Sequence, residues 1–163
     1  MATQQPEPIT ATEHRRRLRR VTQIARRFGF VGRIDYRHVL SNAGGAQFGL
    51  GSSPARDLLV VYAEAFLRDA DPEDFSLEAL LAHECGHQIV DRHAAWQRFL
   101  PGPMTPAVEE VLASVAGSVL VTHPVDRENL VLKAVHDAVQ CGFDVNDASQ
   151  LVFELRRLLE KTR

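Results

Sequence analysis

The chain has 163 residues, of which 45% are apolar and 25% are charged, and it carries a net charge of −2. This composition excludes a wholly disordered protein and predicts about one domain with its own core. Its two cysteines are too few for a disulfide framework, and its polar, basic N-terminus lacks the apolar segment of a signal peptide. We therefore expect a reducing compartment, the cytoplasm, and the absence of a long apolar run predicts no membrane span.

The N-terminal quarter of the chain is basic and the rest is acidic. Residues 1–40 carry nine arginines against three acids, whereas the other 123 residues carry 10 basic and 18 acidic groups. We expect a flexible tail over 1–12, and a single domain over 13–163 that begins with a basic amphipathic helix capped by Thr12. Such a helix can bind nucleic acid, but without interleaved aromatic residues it is more typical of a solvated face, so we do not expect nucleic acid as a partner.

The remaining patterns predict an α+β fold in which a small twisted sheet precedes a set of helices. Strands are expected at 33–40, around Phe48 and over LLVVY at 58–62. Ser76 is expected to cap a helix of about 18 residues. Three more helices are expected at 107–121, at 126–140 before a stop at Cys141-Gly142, and from Asp144 or Asn146 to Leu159.

The helix that follows Ser76 contains an H-E-x-x-H motif, His83-Glu84-Cys85-Gly86-His87. Residues four apart on a helix differ by about 40° in azimuth, so both imidazoles can converge on one Zn²⁺ ion per chain. Glu84 lies about 100° from His83, near the metal without ligating it. That position suits a general base that takes a proton from a metal-activated water.

A catalytic zinc needs a third protein ligand, and two regions compete for that place. His93 has the spacing of H-E-x-x-H-x-x-G-x-x-H, but Val90 stands where that pattern needs a glycine turn, so a helix-end histidine is the favoured interpretation. The other region is the apolar segment that contains Glu109 and Glu110. An acid on the inner face of such a helix should be paired or bound to a metal.

These motifs resemble those of the gluzincin metallopeptidases, in which a downstream helix bears E-x-x-A-[DN]. Glu110-Val111-Leu112-Ala113-Ser114 matches this pattern except at its last position. LEALLAHECGHQIVDRH is similar to the zinc helix of HtpX-like gluzincins, and the small size resembles minigluzincins and ImmA/IrrE-like peptidase domains. The resemblance spans about residues 58–116 and implies a zincin-like fold in which Glu110 is the third ligand and Glu109 is solvent-facing or supports a ligand.

The resemblance also implies supporting features around the ion. Ser114 stands where the family has an Asp or Asn that holds a ligand histidine, and it can still accept a hydrogen bond. An edge strand before the zinc helix would bind an extended substrate, and LLVVY is the best candidate. His123, His136 and Arg127 are the candidates for the group that stabilises the oxyanion.

The preferred hypothesis is a zinc metalloendopeptidase that acts on a peptide or protein, with Glu84 as base and His83, His87 and Glu110 as ligands. The alternatives are a non-catalytic or regulatory zinc-binding domain and, less favoured, a nucleic-acid-binding regulator that uses the arginine-rich helix.

Overall fold

A computed structural model describes residues 6–41, 44–67, 75–93 and 102–162. Within these ranges the fold is α+β, as predicted, with an N-terminal helix, a three-stranded mixed sheet and then four helices packed together. No helix of the described ranges has the length and apolar composition that crossing a membrane requires. In chain order the elements are α1 (Ala11–Arg27), β1 (Arg33–Arg37), β2 (Ala46–Gly49), a single 3-10 turn (Pro54–Arg56), β3 (Leu58–Tyr62), α2 (Glu64–Leu67), α3 (Leu77–Arg92), α4 (Pro106–Leu120), α5 (Pro124–Gln140) and α6 (Val145–Thr162).

Helix α1 begins two residues before its predicted start. Its N-cap is Thr10 and not Thr12, because the Thr10 hydroxyl accepts a hydrogen bond from the backbone N–H of Glu13. Several arginines of α1 have partners within the chain. Arg16 and Arg17 bind the Glu13 carboxylate, whose pKa they lower to about 2, and Arg27 pairs with Glu78 of α3.

The sheet has the order β1-β3-β2, so β3 is its central strand. β1 pairs with β3 in parallel, with Asp35 opposite Val60, and β2 pairs with it antiparallel, with Phe48 opposite Leu59. The expectation that LLVVY is an edge strand is therefore wrong, although its position and its strand structure are confirmed. A continuous run of apolar, β-branched residues suits a strand with neighbours on both sides and cover on both faces.

Helices α3 and α4 pack at very short range and run antiparallel. A Cβ atom on Gly86 of α3 would lie 2.2 Å from the carbonyl oxygen of Ala113, and one on Gly117 of α4 would lie 2.9 Å from the carbonyl oxygen of Ala82. Residue numbers rise along one helix as they fall along the other, which defines the antiparallel direction. The two glycines let the helix backbones touch, and this contact sets how far an α4 side chain must reach to meet α3.

The last two helices both pack against α4. α5 begins with Pro124 after the N-cap His123, two residues before the predicted start, because the fixed φ of proline suits the first helical position. It stops at Cys141-Gly142 as predicted, with Gly142 at φ +98°. Asp144 is the residue that opens α6, because its carboxylate accepts a hydrogen bond from the backbone N–H of Asn146.

Two apolar clusters result from this arrangement. The first joins α1, the sheet and the N-terminal half of α3, and it includes Val21, Leu59 and Leu81. The second joins α4, α5 and α6, and it includes Leu112 and Val152. Helices α3 and α4 therefore lie along the boundary between the two clusters. The H-E-x-x-H motif is near the middle of α3.

A buried carboxylate fastens the end of α3 to the sheet. Asp57 is fully buried, and it accepts hydrogen bonds from the backbone N–H of Gly51, from the Gln88 amide and from the Arg92 guanidinium. Burial raises the pKa of Asp57, but the hydrogen bonds from Arg92, Gly51 and Gln88 outweigh it and lower the pKa below its ordinary value. This network fixes the turn of α3 that follows His87.

We expect Asp57→Asn to lower the free energy of unfolding by about 2 kcal/mol near pH 7, because it removes charged hydrogen bonds from a buried site. A folded-state pKa below the unfolded value stabilises the protein above that unfolded value, about 3.9, and this contribution is lost as the pH falls through the folded value. The gap between wild type and variant should therefore narrow below about pH 4.

Urea unfolding of both proteins across this pH range measures the gap. Asp35→Asn is the matched control, because Asp35 forms an exposed ion pair with Arg37 and its loss should change stability by less than about 0.5 kcal/mol. A difference between wild type and Asp57→Asn that widens in acid would contradict this account of the network.

Candidate metal centre

Two imidazoles from one face of α3 form the base of the site. His83 and His87 are buried, with 5% and 9% of their surface exposed, and their ring centroids lie 4.9 Å apart. The helix continues without a break from Leu77 to Arg92, so the four-residue spacing stacks the two side chains one turn apart. The convergence that the motif predicts is therefore present.

The carboxylate of Glu110 on α4 faces both rings. Its Oε2 atom lies 3.1 Å from Nε2 of His83, and its Oε1 atom lies 3.3 Å from Nε2 of His87. One nitrogen or oxygen atom from each of the three residues lies within 4.8 Å of the others. His83, His87 and Glu110 thus form a group that could hold a metal ion, with 45% of the Glu110 side chain exposed.

The separations and the donor types of this group suit zinc. A tetrahedral zinc ion with bonds of about 2.0–2.1 Å to nitrogen and oxygen places neighbouring ligand atoms about 3.3 Å apart. Oε2 of Glu110 lies 3.1 Å from Nε2 of His83, and Oε1 lies 3.3 Å from Nε2 of His87, so each carboxylate oxygen is about one tetrahedral edge from one imidazole nitrogen. Two imidazoles and one carboxylate are also a set that zinc accepts in catalytic sites, where three protein ligands leave one position open.

Helix α4 supports both histidines through their other ring nitrogens. Nδ1 of His83 lies 3.0 Å from the Ser114 hydroxyl, and Nδ1 of His87 lies 2.9 Å from a Glu109 carboxylate oxygen. These contacts orient each ring and direct its Nε2 atom toward Glu110. Ser114 is therefore placed to accept the expected hydrogen bond from His83. Glu109, for which a solvent-facing and a supporting position were both open, lies beside His87.

Glu84 lies beside the group and is 8% exposed. Burial raises the pKa of Glu84 above its ordinary value, while the two histidines and a hydrogen bond from the Phe48 backbone act in the opposite direction. A carboxylate with a raised pKa binds a proton more readily, which is the property that a general base requires.

The charges of the site are strongly coupled. Hydrogen bonds from His83 and His87 lower the pKa of Glu110 far below its usual range. Burial alone would lower the pKa of His87, but Glu110, Glu84 and Glu109 together raise it to about 9. When no metal ion is bound, these carboxylates favour a protonated, positively charged His87 imidazole. A divalent cation would supply the positive charge in place of that proton.

Strand β2 closes the site on the side of the sheet. The Phe48 ring stacks on the His87 ring, with centroids 6.3 Å apart and planes 7° from parallel. The same residue contributes the backbone hydrogen bond to Glu84. Of the residues that the structure describes, those of β2 pair with β3 alone, so the other edge of this strand has no strand neighbour among them.

The other candidate residues lie elsewhere. His93 is the exposed C-cap of α3, as favoured, and it is not part of the metal-ligating group found among the described residues. His123 is the exposed N-cap of α5, and the side chain of His136 is 70% exposed beside Asp137. The Arg127 guanidinium lies 3.5 Å from the Val121 carbonyl oxygen.

Cys85 is buried, and burial raises the pKa of its thiol, so it stays protonated.

One positively charged side chain at the site, that of Lys133, is not predicted by any motif in the sequence. The Lys133 ammonium of α5 lies 3.5 Å from Oε2 of Glu110 and 2.5 Å from a carboxylate oxygen of Asp137. The only sequence signal is compositional, since the chain has 17 arginines and two lysines, Lys133 and Lys161. No local motif surrounds Lys133, because its partner Glu110 is 23 residues away.

Comparison with known proteins adds no relative. No protein-family model, no curated protein and no solved structure matches this chain. The geometry of the described residues therefore carries the functional interpretation, and what it establishes is a His83–His87–Glu110 group in an α+β fold that could hold a metal ion.

Proposed function

We propose that this protein is a zinc-dependent peptidase in which His83, His87 and Glu110 hold the ion and Glu84 is the general base. The observation that carries the proposal is the convergence of the Glu110 carboxylate on both Nε2 atoms of an H-E-x-x-H helix, at 3.1 Å and 3.3 Å. A structural zinc site is closed by four protein ligands, whereas three converge here among the described residues. That count favours catalysis over the alternative of a non-catalytic zinc domain.

The residues divide the work by their environment. Ser114 and Glu109 hold the imidazoles in the orientation that ligation requires. Zinc bound there supplies Lewis acidity that lowers the pKa of a water molecule to about 7. In this role Glu84 would accept a proton from the attacking water and would return it to the leaving nitrogen of the peptide bond. The apolar packing of Phe48 against His87 keeps bulk water from one side of the site.

Strand β2 is the proposed docking strand for the substrate. An extended peptide can add to its open edge through backbone hydrogen bonds, a mode that tolerates many side chains. Because Phe48 touches His87 and hydrogen-bonds to Glu84, a peptide paired there would run past the base and the ligands. The cytoplasm is the compartment we propose, since both cysteines are free thiols.

The decisive experiment measures zinc content and zinc affinity in Glu110→Gln. We expect the wild-type chain to bind one zinc ion and Glu110→Gln to bind it more than about 100-fold more weakly, because losing a ligand should exceed the 10–100-fold cost of losing an outer partner. Glu109→Gln should fall within that smaller range, since Glu109 acts through His87. Elemental analysis and competition with a chromogenic chelator measure both effects.

Two features of the design keep the result interpretable. Glu128→Gln alters an exposed glutamate of α5 and should leave zinc binding unchanged. Glu109 and Glu110 are adjacent and identical in type, so a difference between their variants reports position and not net charge. If the wild-type chain neither contains nor binds zinc, the proposed function is wrong.

A further inference from the structure

Lys133 of α5 is the only lysine that contacts the proposed ligand Glu110 among the described residues. Its ammonium lies 3.5 Å from Oε2 of Glu110 and is anchored 2.5 Å from Oδ2 of Asp137, one turn later on the same helix. Lys133 and Asp137 are both partly buried. The pair therefore holds a cation at a fixed place beside the carboxylate that faces the two imidazoles.

Helix stability alone is a weak explanation for this pair. An i,i+4 ion pair at a helix surface contributes about 0.3–0.5 kcal/mol, and it contributes most when the acid precedes the base, which is the reverse of the order here. The packing of α5 on α4 depends on small and apolar residues such as Leu130, Ala134 and Ala138, which are fully or almost fully buried. The position of the ammonium is better explained by what it touches across the helix boundary.

The three proposed ligands share a pattern that Lys133 completes. His83 has Ser114 at its second nitrogen, and His87 has Glu109. A ligating carboxylate likewise needs a donor for the oxygen that the metal does not take. Oε2 of Glu110 has Lys133 as a donor, so each ligand has one supporting partner, and all three partners come from α4 and α5.

We propose that Lys133, anchored by Asp137, is the positioning residue of Glu110. It engages one carboxylate oxygen, leaves the other to bind the metal, and so favours a single carboxylate contact that keeps a coordination position open. This inference rests on the proposed function, because it concerns the ligand role of Glu110.

Metal affinity tests the inference with matched variants. We expect Lys133→Met to weaken zinc binding about 10–100-fold and to alter the visible absorption of the Co²⁺-loaded protein, because the carboxylate loses its fixed orientation. Lys133→Arg should restore most of the affinity, since the guanidinium can donate to the same oxygen. Lys161→Met removes the second lysine of the chain, which lies on α6, and it should change neither the zinc affinity nor the Co²⁺ spectrum. Equal zinc affinity and an equal Co²⁺ spectrum in Lys133→Met would overturn the proposal.

A second measurement needs no destabilising change at the site. Protein labelled with ¹⁵N at the lysine side chains has two ammonium groups to observe, and the loss of one signal in Lys133→Arg assigns it. We expect the Lys133 signal to shift on addition of zinc and the Lys161 signal to stay in place. Zinc that binds stoichiometrically without moving the Lys133 signal would overturn this inference and leave the peptidase proposal intact. A wild-type chain that binds no zinc would overturn both.

Discussion

Glu84→Gln is expected to retain one zinc ion per chain and to lose hydrolytic activity by about 10²–10⁴-fold, the range that a positioned general base contributes. The substitution keeps the size of the side chain and its capacity to accept the backbone hydrogen bond of Phe48. It removes the proton acceptor, whose basicity burial increases. Metal binding should persist because Glu84 lies outside the group of ligating atoms.

The measurement compares cleavage of a mixed peptide library by wild type and variant, read by mass spectrometry, with zinc content determined on the same samples. Glu78→Gln is the control, because Glu78 lies in the first turn of the same helix and pairs with Arg27 at the surface. Full activity in Glu84→Gln would contradict the role of base. Loss of zinc from that variant would instead indicate that Glu84 ligates the ion.

Gly86→Ala is expected to destabilise the protein and to weaken zinc binding at the same time. The added Cβ would lie 2.2 Å from the Ala113 carbonyl oxygen and 2.9 Å from its carbon, so α3 and α4 must move apart. The higher helix propensity of alanine favours the variant by about 1 kcal/mol, whereas overpacking a tight contact costs about 1–3 kcal/mol before other adjustments. Because the displaced atom is backbone, we expect the steric effect to win.

The same movement draws Glu110 and Ser114 away from the imidazoles, which is why metal affinity should fall with stability. Urea unfolding and chelator competition measure the two effects. Gly102→Ala is the control, since a Cβ atom there meets no heavy atom within 4 Å. A Gly86→Ala protein with wild-type stability and wild-type zinc affinity would show that helix separation does not control the site.

Local periodicity accounts for the part of the site that lies on one helix. The 3.6-residue repeat is sufficient to place His83, Glu84 and His87 relative to one another. Glu110 was implied by the E-x-x-A resemblance, and Ser114 by its place in that pattern. The relative placement of the three α3 residues follows from the backbone of one helix. Glu110 and Ser114 lie on another helix, so only the resemblance indicated that they would face the histidines.

Relations between elements were harder to predict. LLVVY was expected at a sheet edge from the resemblance, yet its unbroken apolar character indicates a strand covered on both faces, and β3 is central. Lys133 could not be predicted because its contact with Glu110 depends on how α5 crosses α4. The tight approach at Gly86 likewise becomes visible only when Ala113 is placed against it.

The boundary between the two apolar clusters gives the metal centre a mechanical consequence. His83 lies on α3, whose N-terminal half belongs to the apolar cluster that contains the sheet. Glu110 lies on α4, the first helix of the cluster formed by α4, α5 and α6. A metal ion held by ligands from both helices can stay bound only while the two clusters remain packed together. Its binding free energy therefore opposes the separation of the two clusters. Saturation with metal would thus couple the unfolding of α6, which contributes no ligand, to that of the β-sheet.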